Sequence, residues 1–386
     1  MIGQEERNAV LRVMDRNILS GYKGNWSEDF YGGPEIQALE KEWAEYFGVK
    51  HAIATNSATS GLWMACAAIG LGYGFKDKMI SADEDPYIKT TVQEIVEDEA
   101  IVTPWSMTCS ASIPLHFGAK PVFADIEPDY YCLDSKSVEE RITERTKAII
   151  VVDLFGQPYD ADAVNALAEK HGKKYGHKIY VIEDAAQAAG AKYKGKYAGT
   201  LGDIGVFSLN VHKPIQCGEG GICVTDDDEL AFKCRLSMNH SEAVMNSFGY
   251  DKNLYNLPKA YNKDVLESYY NIVGLNLRMI EISAAIAREQ LKKLEYIIKK
   301  QSEFAEYFNI KTRQNCEHSY YRYAQTEPIN KMVTPEYTKL FNHKKHYIIP
   351  LYQMPLFKQL GYDQHCCPVC EDVDENIVLA WLKENP

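Results

Sequence analysis

Between residues 51 and 184 the chain alternates short apolar, β-branched runs with segments of helical periodicity. Residues 51–54, 101–103, 121–126, 147–154 and 178–182 read as strands. Between them, 61–69, 106–117, 135–142 (behind an Asp134 N-cap) and 160–172 read as helices, with Gly172 as the stop of the last. Parallel neighbours need a crossover of about a dozen residues, and helices of this length supply it. The alternation therefore predicts an α/β fold with a doubly wound, mostly parallel sheet. In such sheets the ligand lies at the C-terminal ends of the strands.

The flanks extend this reading. Pro34 suits the first turn of a helix over 34–47, whose Ile36, Leu39, Trp43 and Phe47 share one face. Two short strands, 206–209 and 222–225, bracket the turn Gly218-Glu219-Gly220-Gly221. Residues 241–272 read as a long loop, and 278–307 as a long amphipathic helix, bent or broken. Further on, 346–350 looks like a strand and 375–383 like a helix. The expected division is a large α/β domain over 1–275 and a linker helix with a smaller C-terminal α/β domain over 276–386. The stretch 75–99 is charge-rich and reads as a surface insertion.

Charge narrows the function. Lys plus Arg is 42 against 54 for Asp plus Glu, a net charge of −12 with no basic block, which argues against nucleic acid as a partner. No run approaches the ~18 apolar residues of a membrane span. The charged start is no secretory leader, so a cytoplasmic protein with ten reduced thiols is expected. No G-x-G-x-x-G follows the first strand, which argues against a dinucleotide-binding dehydrogenase. His365, Cys366, Cys367 and Cys370 form a compact group, but no second Cys pair follows, so no metal is expected.

Four features fall where a site should lie. Asp184, in VIEDAAQAAGA, ends a buried strand, where an acid needs a positive partner. Lys213, in FSLNVHKPIQCGEGG, sits among Ser208, Asn210 and His212; a desolvated lysine in such surroundings can attack a carbonyl. Asn56-Ser57-Ala58-Thr59 opens a helix, a natural phosphate cradle. Arg278, in GLNLRM, opens the long helix. Taken singly, each is also ordinary: a helix cap, a solvated lysine, an N-cap, a surface ion pair. Together they match the parts of a pyridoxal phosphate (PLP) site, which needs a lysine, an acid for the pyridine nitrogen and a phosphate cradle.

The chain resembles the DegT/StrS-like nucleotide-sugar aminotransferases, fold-type-I PLP enzymes. The stretches that carry the resemblance include LEKEWAEYFGVKHAIATNSATSGL, GAKPVFADIEPD, VIEDAAQAAGAKYKGKYAGTLGDIGVFSLNVHK and GLNLRMIEISAAIAREQL. The resemblance implies an enzyme that moves an amino group from an amino acid, glutamate being the expected donor, to a nucleotide-linked keto-sugar in amino-sugar and polysaccharide biosynthesis. Lys213 would be its Schiff-base lysine and proton shuttle, and Asp184 the partner of the ring nitrogen. Gln187 would approach the ring oxygen and Ala186 its face. Ala58, Thr59 and Ser208 would hold the phosphate, joined by Asn276 from the other subunit of a homodimer. His240 would lie near the sugar. Met107 stands where the family often stacks an aromatic ring, with Trp105 nearby, and Ser241 replaces a family glycine. A sugar dehydratase of the same fold would have a His for Lys213. A regulator that keeps the fold without catalysis is the other alternative.

Overall fold

A computed structural model of the chain describes residues 2–24, 28–82, 85–241, 274–308, 310–326 and 340–383. In chain order its first strands are β1 (His51–Thr55), the pair β2 (Tyr73–Ala82) and β3 (Asp85–Glu97), β4 (Glu99–Val102), β5 (Lys120–Phe123), β6 (Thr146–Val152) and β7 (Tyr180–Asp184). The short β8 (Lys192–Tyr193) and β9 (Lys196–Tyr197) precede β10 (Ile204–Ser208) and β11 (Gly221–Thr225). Seven of these strands make the central sheet, in the order β1-β11-β10-β7-β6-β4-β5. Only β11 runs against its neighbours; the β10–β7, β7–β6, β6–β4 and β4–β5 pairs are parallel.

After an N-terminal helix, α1 (Gln4–Arg16), helices cover both faces of the sheet, and the strands show it residue by residue. Ile53, Val206, Cys223, Ile150 and Ile182 face one core. That core is closed by α3 (Ala58–Ala68), α4 (Cys109–His116) and α7 (Asp228–Met238). Their neighbours Ala52, Ala54, Phe207, Ile222 and Val224 face a second core under α2 (Pro34–Phe47). Ile149, Val151 and Val181 face a third, under α5 (Ser135–Arg141) and α6 (Ala161–Tyr175). Strands buried on both sides read as continuous apolar runs, as these do. Pro34 opens α2, and Ile36, Leu39, Trp43 and Phe47 are all buried. Each such side chain contributes about 1.5–3 kcal/mol of hydrophobic stabilisation.

Several expectations change. Gly172 does not end α6, which runs to Tyr175 and is capped by Gly176 in the left-handed conformation (φ 77°). Gly172 is instead a contact point: a Cβ there would lie 2.8 Å from the His177 carbonyl oxygen. The helix expected from 106 begins only at Cys109. The 75–99 insertion is a long hairpin, β2 paired with β3, and its base closes where the Asp98 amide donates to the Gly72 carbonyl at 2.9 Å. The long helix is indeed broken, into Glu281–Leu291 and Leu294–Phe308. From 242 on, the expected 241–272 loop lies outside the described residues.

The C-terminal part differs most from expectation. The chain extends at Phe341–Lys345, not 346–350, and 375–383 is the end of a helix, Pro368–Asn376, followed by a strand, Val378–Leu382. That strand is central in a three-stranded sheet, between Tyr323–Gln325 and Phe341–Lys345. Short apolar runs do not distinguish strand from helix by periodicity, and cross-strand pairing decided this one. The part packs on the main sheet through Phe123, whose ring meets those of Tyr352 and Phe357. The His365–Cys370 group serves as a helix start: the Asp125 carboxylate accepts from the Val369 and Cys370 amides at 2.9 Å. Among the described residues no group of three His, Cys, Asp or Glu is placed to hold a metal ion, and no helix is long and apolar enough to cross a membrane.

Candidate active site

The site assembles at the C-terminal ends of β7 and β10. Alternation along β7 sends its last two acids to opposite sides. Glu183 accepts from the amides of Gly199, Leu201 and Gly202 and so holds the loop before β10. Asp184 faces the other way and is buried. Its Oδ1 accepts from the Ala186 amide and its Oδ2 from the Ser110 hydroxyl, both at 3.1 Å. Burial pushes the Asp184 carboxyl above its ordinary range; the Ala186 amide, the charge of Lys213 and Ser110 pull it back in part. A buried acid in this condition gains from any cation brought against it.

Parallel register puts β10 beside it: Val206 pairs with Asp184, so Ser208 ends two residues beyond. Ser208 in turn pairs with Gly221 of β11. A Cβ on Gly221 would lie 2.5–2.7 Å from the backbone of Ser57 and Ala58. Glycine is therefore required for Ser208 and the α3 N-terminus to approach each other. There Ser57 caps the helix, its hydroxyl accepting from the Ser60 amide at 3.1 Å. The amides of Ala58 and Thr59 lie in the first turn, where no intrahelical acceptor exists, and they suit an anion. Thr59 also touches Cys109, whose thiol is pushed up to about 11, chiefly by burial. Thr59, Cys109, Ser110 and Asp184 thus form a connected wall.

Lys213 sits in a tight turn after β10, its amide donating to the Asn210 carbonyl at 2.9 Å. Its ammonium lies 4.7 Å from the centroid of the Tyr321 ring. His212 beside it is exposed, and its backbone amide is tied to Asn210 Oδ1 at 3.1 Å. Gln187 is buried. Its Oε1 accepts from the Phe155 amide at 2.9 Å, so its Nε2 is the end left to donate, and it meets the Tyr347 hydroxyl at 3.2 Å. Ala186 is half-buried next to it.

Other expected residues lie beside these elements: the Ser110 amide donates to the Met107 carbonyl at 3.2 Å, and the Asn276–Arg278 segment passes the α3 start, where the Asn56 amide donates to the Leu277 carbonyl at 2.8 Å. Met107 is 54% exposed. Trp105 is fully buried, and its indole donates to the Ile348 carbonyl at 2.8 Å, so it belongs to the core. Asn276 is exposed and accepts from Arg278 Nε at 2.9 Å, while Arg278 also donates to Asn239. His240 is exposed, and its amide donates to the Leu275 carbonyl. His240 and Ser241 both adopt left-handed backbone, φ 59° and 57°, so the bend continues without the glycine of the family pattern. Ser110, Tyr321 and Tyr347 had no sequence signal; Tyr321 and Tyr347 come from the distant C-terminal part.

This set fits PLP: a buried acid whose carboxyl is pushed up by burial, a lysine whose charge acts on it, an amide donor fixed in direction, and a helix start beside Ser208. Residues 22–382 match the DegT/DnrJ/EryC1/StrS aminotransferase family. The chain belongs to this family. Its members are PLP-dependent aminotransferases, so the resemblance read from the sequence is borne out. The chain is 37% identical over 290 residues to GDP-perosamine synthase of Caulobacter vibrioides, covering 75% of this chain and 62% of that one. It is 33% identical over 309 residues to the spore coat polysaccharide biosynthesis protein SpsC of Bacillus subtilis, covering 79% and 66%. These alignments span less than two thirds of either relative's own length. An aminotransferase from Psychrobacter cryohalolentis, solved by X-ray, superposes with a TM-score of 0.76 at 26% identity, covering 98% of this chain and 91% of that one. The mostly parallel α/β fold is that of the family.

In this DegT/StrS-type chain the Ser110 hydroxyl, donating to Asp184 Oδ2, favours the ionised form of that carboxyl. The expected role of Asp184 towards the PLP ring nitrogen gives a test. Ser110→Ala removes about 1 kcal/mol of hydrogen bonding. The PLP dissociation constant, from titration of the cofactor-free protein, should rise roughly fivefold.

Proposed function

We propose that the chain transfers an amino group from glutamate to a keto-sugar carried on a nucleoside diphosphate, supplying an amino sugar for polysaccharide assembly. It would act in the cytoplasm as a homodimer with shared sites. One observation carries this reading: Lys213 and Asp184 converge beside the α3 N-terminus, and the Lys213 charge acts on the Asp184 carboxyl. Bound PLP supplies an electron sink that no side chain offers. The remaining work falls to the protein. Asp184 holds the ring nitrogen protonated. Ala58 (through its amide), Thr59 and Ser208 hold the phosphate. Gln187 Nε2 donates to the ring oxygen, Ala186 lies at the ring face, and Met107 can reach over the opposite face. Lys213 moves the proton between the cofactor carbon and the sugar carbon. Asn276 reaches the phosphate of the partner's cofactor, as the resemblance implies. His240 touches the sugar. All ten cysteines are free thiols, which suits a reducing compartment.

The intact Lys213 argues against a dehydratase. The test is the visible spectrum of the PLP-loaded protein. Excess glutamate should bleach the lysine-linked band to the pyridoxamine form, and one of a panel of nucleotide-linked keto-sugars should restore it. A band that no amino donor changes would overturn the reading.

A further inference from the structure

Arg322 stands out among the cations near the site. It is half-buried at the start of the C-terminal part, and its amide donates to the Phe155 carbonyl at 3.1 Å. Its guanidinium lies 4.1 Å from the centroid of the Tyr321 ring and 5.0 Å from that of Trp381. Its hydrogen bonds go to the carbonyl and hydroxyl of Tyr321, at 3.0 and 3.2 Å. Among the described residues no carboxylate pairs with it. Four other partly buried arginines pair with carboxylates, Arg145 with Glu99, Arg235 with Glu40, Arg288 with Glu35 and Glu42, and Arg313 with Glu127, while Arg141 and Arg278 donate to the Cys366 carbonyl and to Asn276 and Asn239, outside the Lys213–Tyr321 pair. A guanidinium clamped by aromatic rings has lost rotamer freedom in advance, and its fork matches an oxyanion.

Its position gives the oxyanion a source. Lys213 approaches the Tyr321 ring that Arg322 also covers. The Tyr347 hydroxyl, bonded to Gln187, feels the charges of both Arg322 and Asp184. Arg322 therefore stands one aromatic side chain away from the reacting group.

We infer that Arg322 is an anchor for a substrate oxyanion, a carboxylate or phosphate, held next to Lys213. The inference rests on the proposed transamination only for the identity of the substrates. A carboxylate would come from the amino donor, a phosphate from the nucleotide-linked acceptor. Tyr321 is the ring that both cations approach, and its carbonyl and hydroxyl hold the Arg322 guanidinium in place.

The test uses the PLP-loaded protein and two unreactive probes, maleate for a carboxylate and uridine diphosphate for a phosphate. Binding is measured by calorimetry for wild type, Arg322→Gln and Arg322→Lys. Retention of the cofactor band and of the melting temperature shows that each variant has folded. Arg322→Gln should weaken one probe about tenfold or more, as expected for loss of a charge-assisted pair. Arg322→Lys should recover part of the loss, because it returns the charge without the fork. Loss confined to maleate assigns the anchor to the donor, and loss confined to uridine diphosphate assigns it to the acceptor. Wild-type affinity of Arg322→Gln for both probes, or no binding of either by wild type, would overturn the inference. Because neither probe reacts, this result is independent of whether glutamate bleaches the cofactor band.

Discussion

Lys213→Ala should abolish the lysine-linked absorption band and reduce turnover by at least about 10³-fold, the range of a lost proton-transfer group. Neither described neighbour, Arg322 nor His212, can substitute. Arg322, across the Tyr321 ring, is an arginine and stays protonated. His212 is exposed and sits in a turn fixed by Asn210. The variant should fold, because Lys213 is only half-buried and lies in a surface turn whose hydrogen bonds come from the backbone and Asn210. Lys213→Arg separates the two contributions of the lysine. It keeps a positive charge near Asp184 but cannot attack a carbonyl, so it should retain more PLP affinity than the alanine variant while remaining inactive. A Lys213→Ala protein that kept both band and turnover would show that another group does the chemistry.

The sheet was legible because its central strands are buried on both faces. Residues 147–154 and 178–182 had no alternative to a doubly covered strand once helical segments stood between them. The misreadings have local causes. Gly172 looked like a helix stop, but the returning chain at His177 needs its missing side chain. In 378–382 the run VLAWL carries no period of its own, and its partners Tyr323–Gln325 and Phe341–Lys345 are far away in sequence.

The site divides along the same line. Asp184, Gln187, Ser208 and Lys213 lie within thirty residues of one another, at or just past two adjacent strand ends, within the single stretch that carried the resemblance. Ser110, Tyr321, Tyr347 and Arg322 reach the site only through tertiary packing: of α4 on the sheet for Ser110, and of the C-terminal part on Phe155 and Gly156 for the others. A serine at a helix start or a tyrosine in YYRY has no sequence signature of its own. Trp105 shows the converse, since its aromatic character suggested a ring to be stacked and its indole is spent on the Ile348 carbonyl.

Asp184→Ala should weaken PLP binding by about 3–5 kcal/mol, the cost of removing one member of a buried ion pair. That is at least about a hundredfold in the dissociation constant. The cofactor-free protein should lose no stability by it. Burial raises the Asp184 carboxyl above its ordinary range, so at neutral pH the folded state favours this charge less than the unfolded state does. A group with a raised folded-state pKa of this kind destabilises the fold above its unfolded pKa, and deleting it removes that penalty. The melting temperature of the cofactor-free variant should therefore equal or exceed that of wild type, while the increase produced by added PLP shrinks. Asp184→Asn refines the test. Its Oδ1 can still accept from the Ala186 amide and its Nδ2 can donate to the Ser110 hydroxyl, but it carries no charge, so it should bind PLP more tightly than the alanine variant and still turn over slowly. If the asparagine variant kept the wild-type rate, the charge of Asp184 would have no part in the reaction, and the carboxyl would serve only to shape the pocket floor. If cofactor-free Asp184→Ala melted well below wild type, the acid would be a structural element rather than a site held ready for a cation.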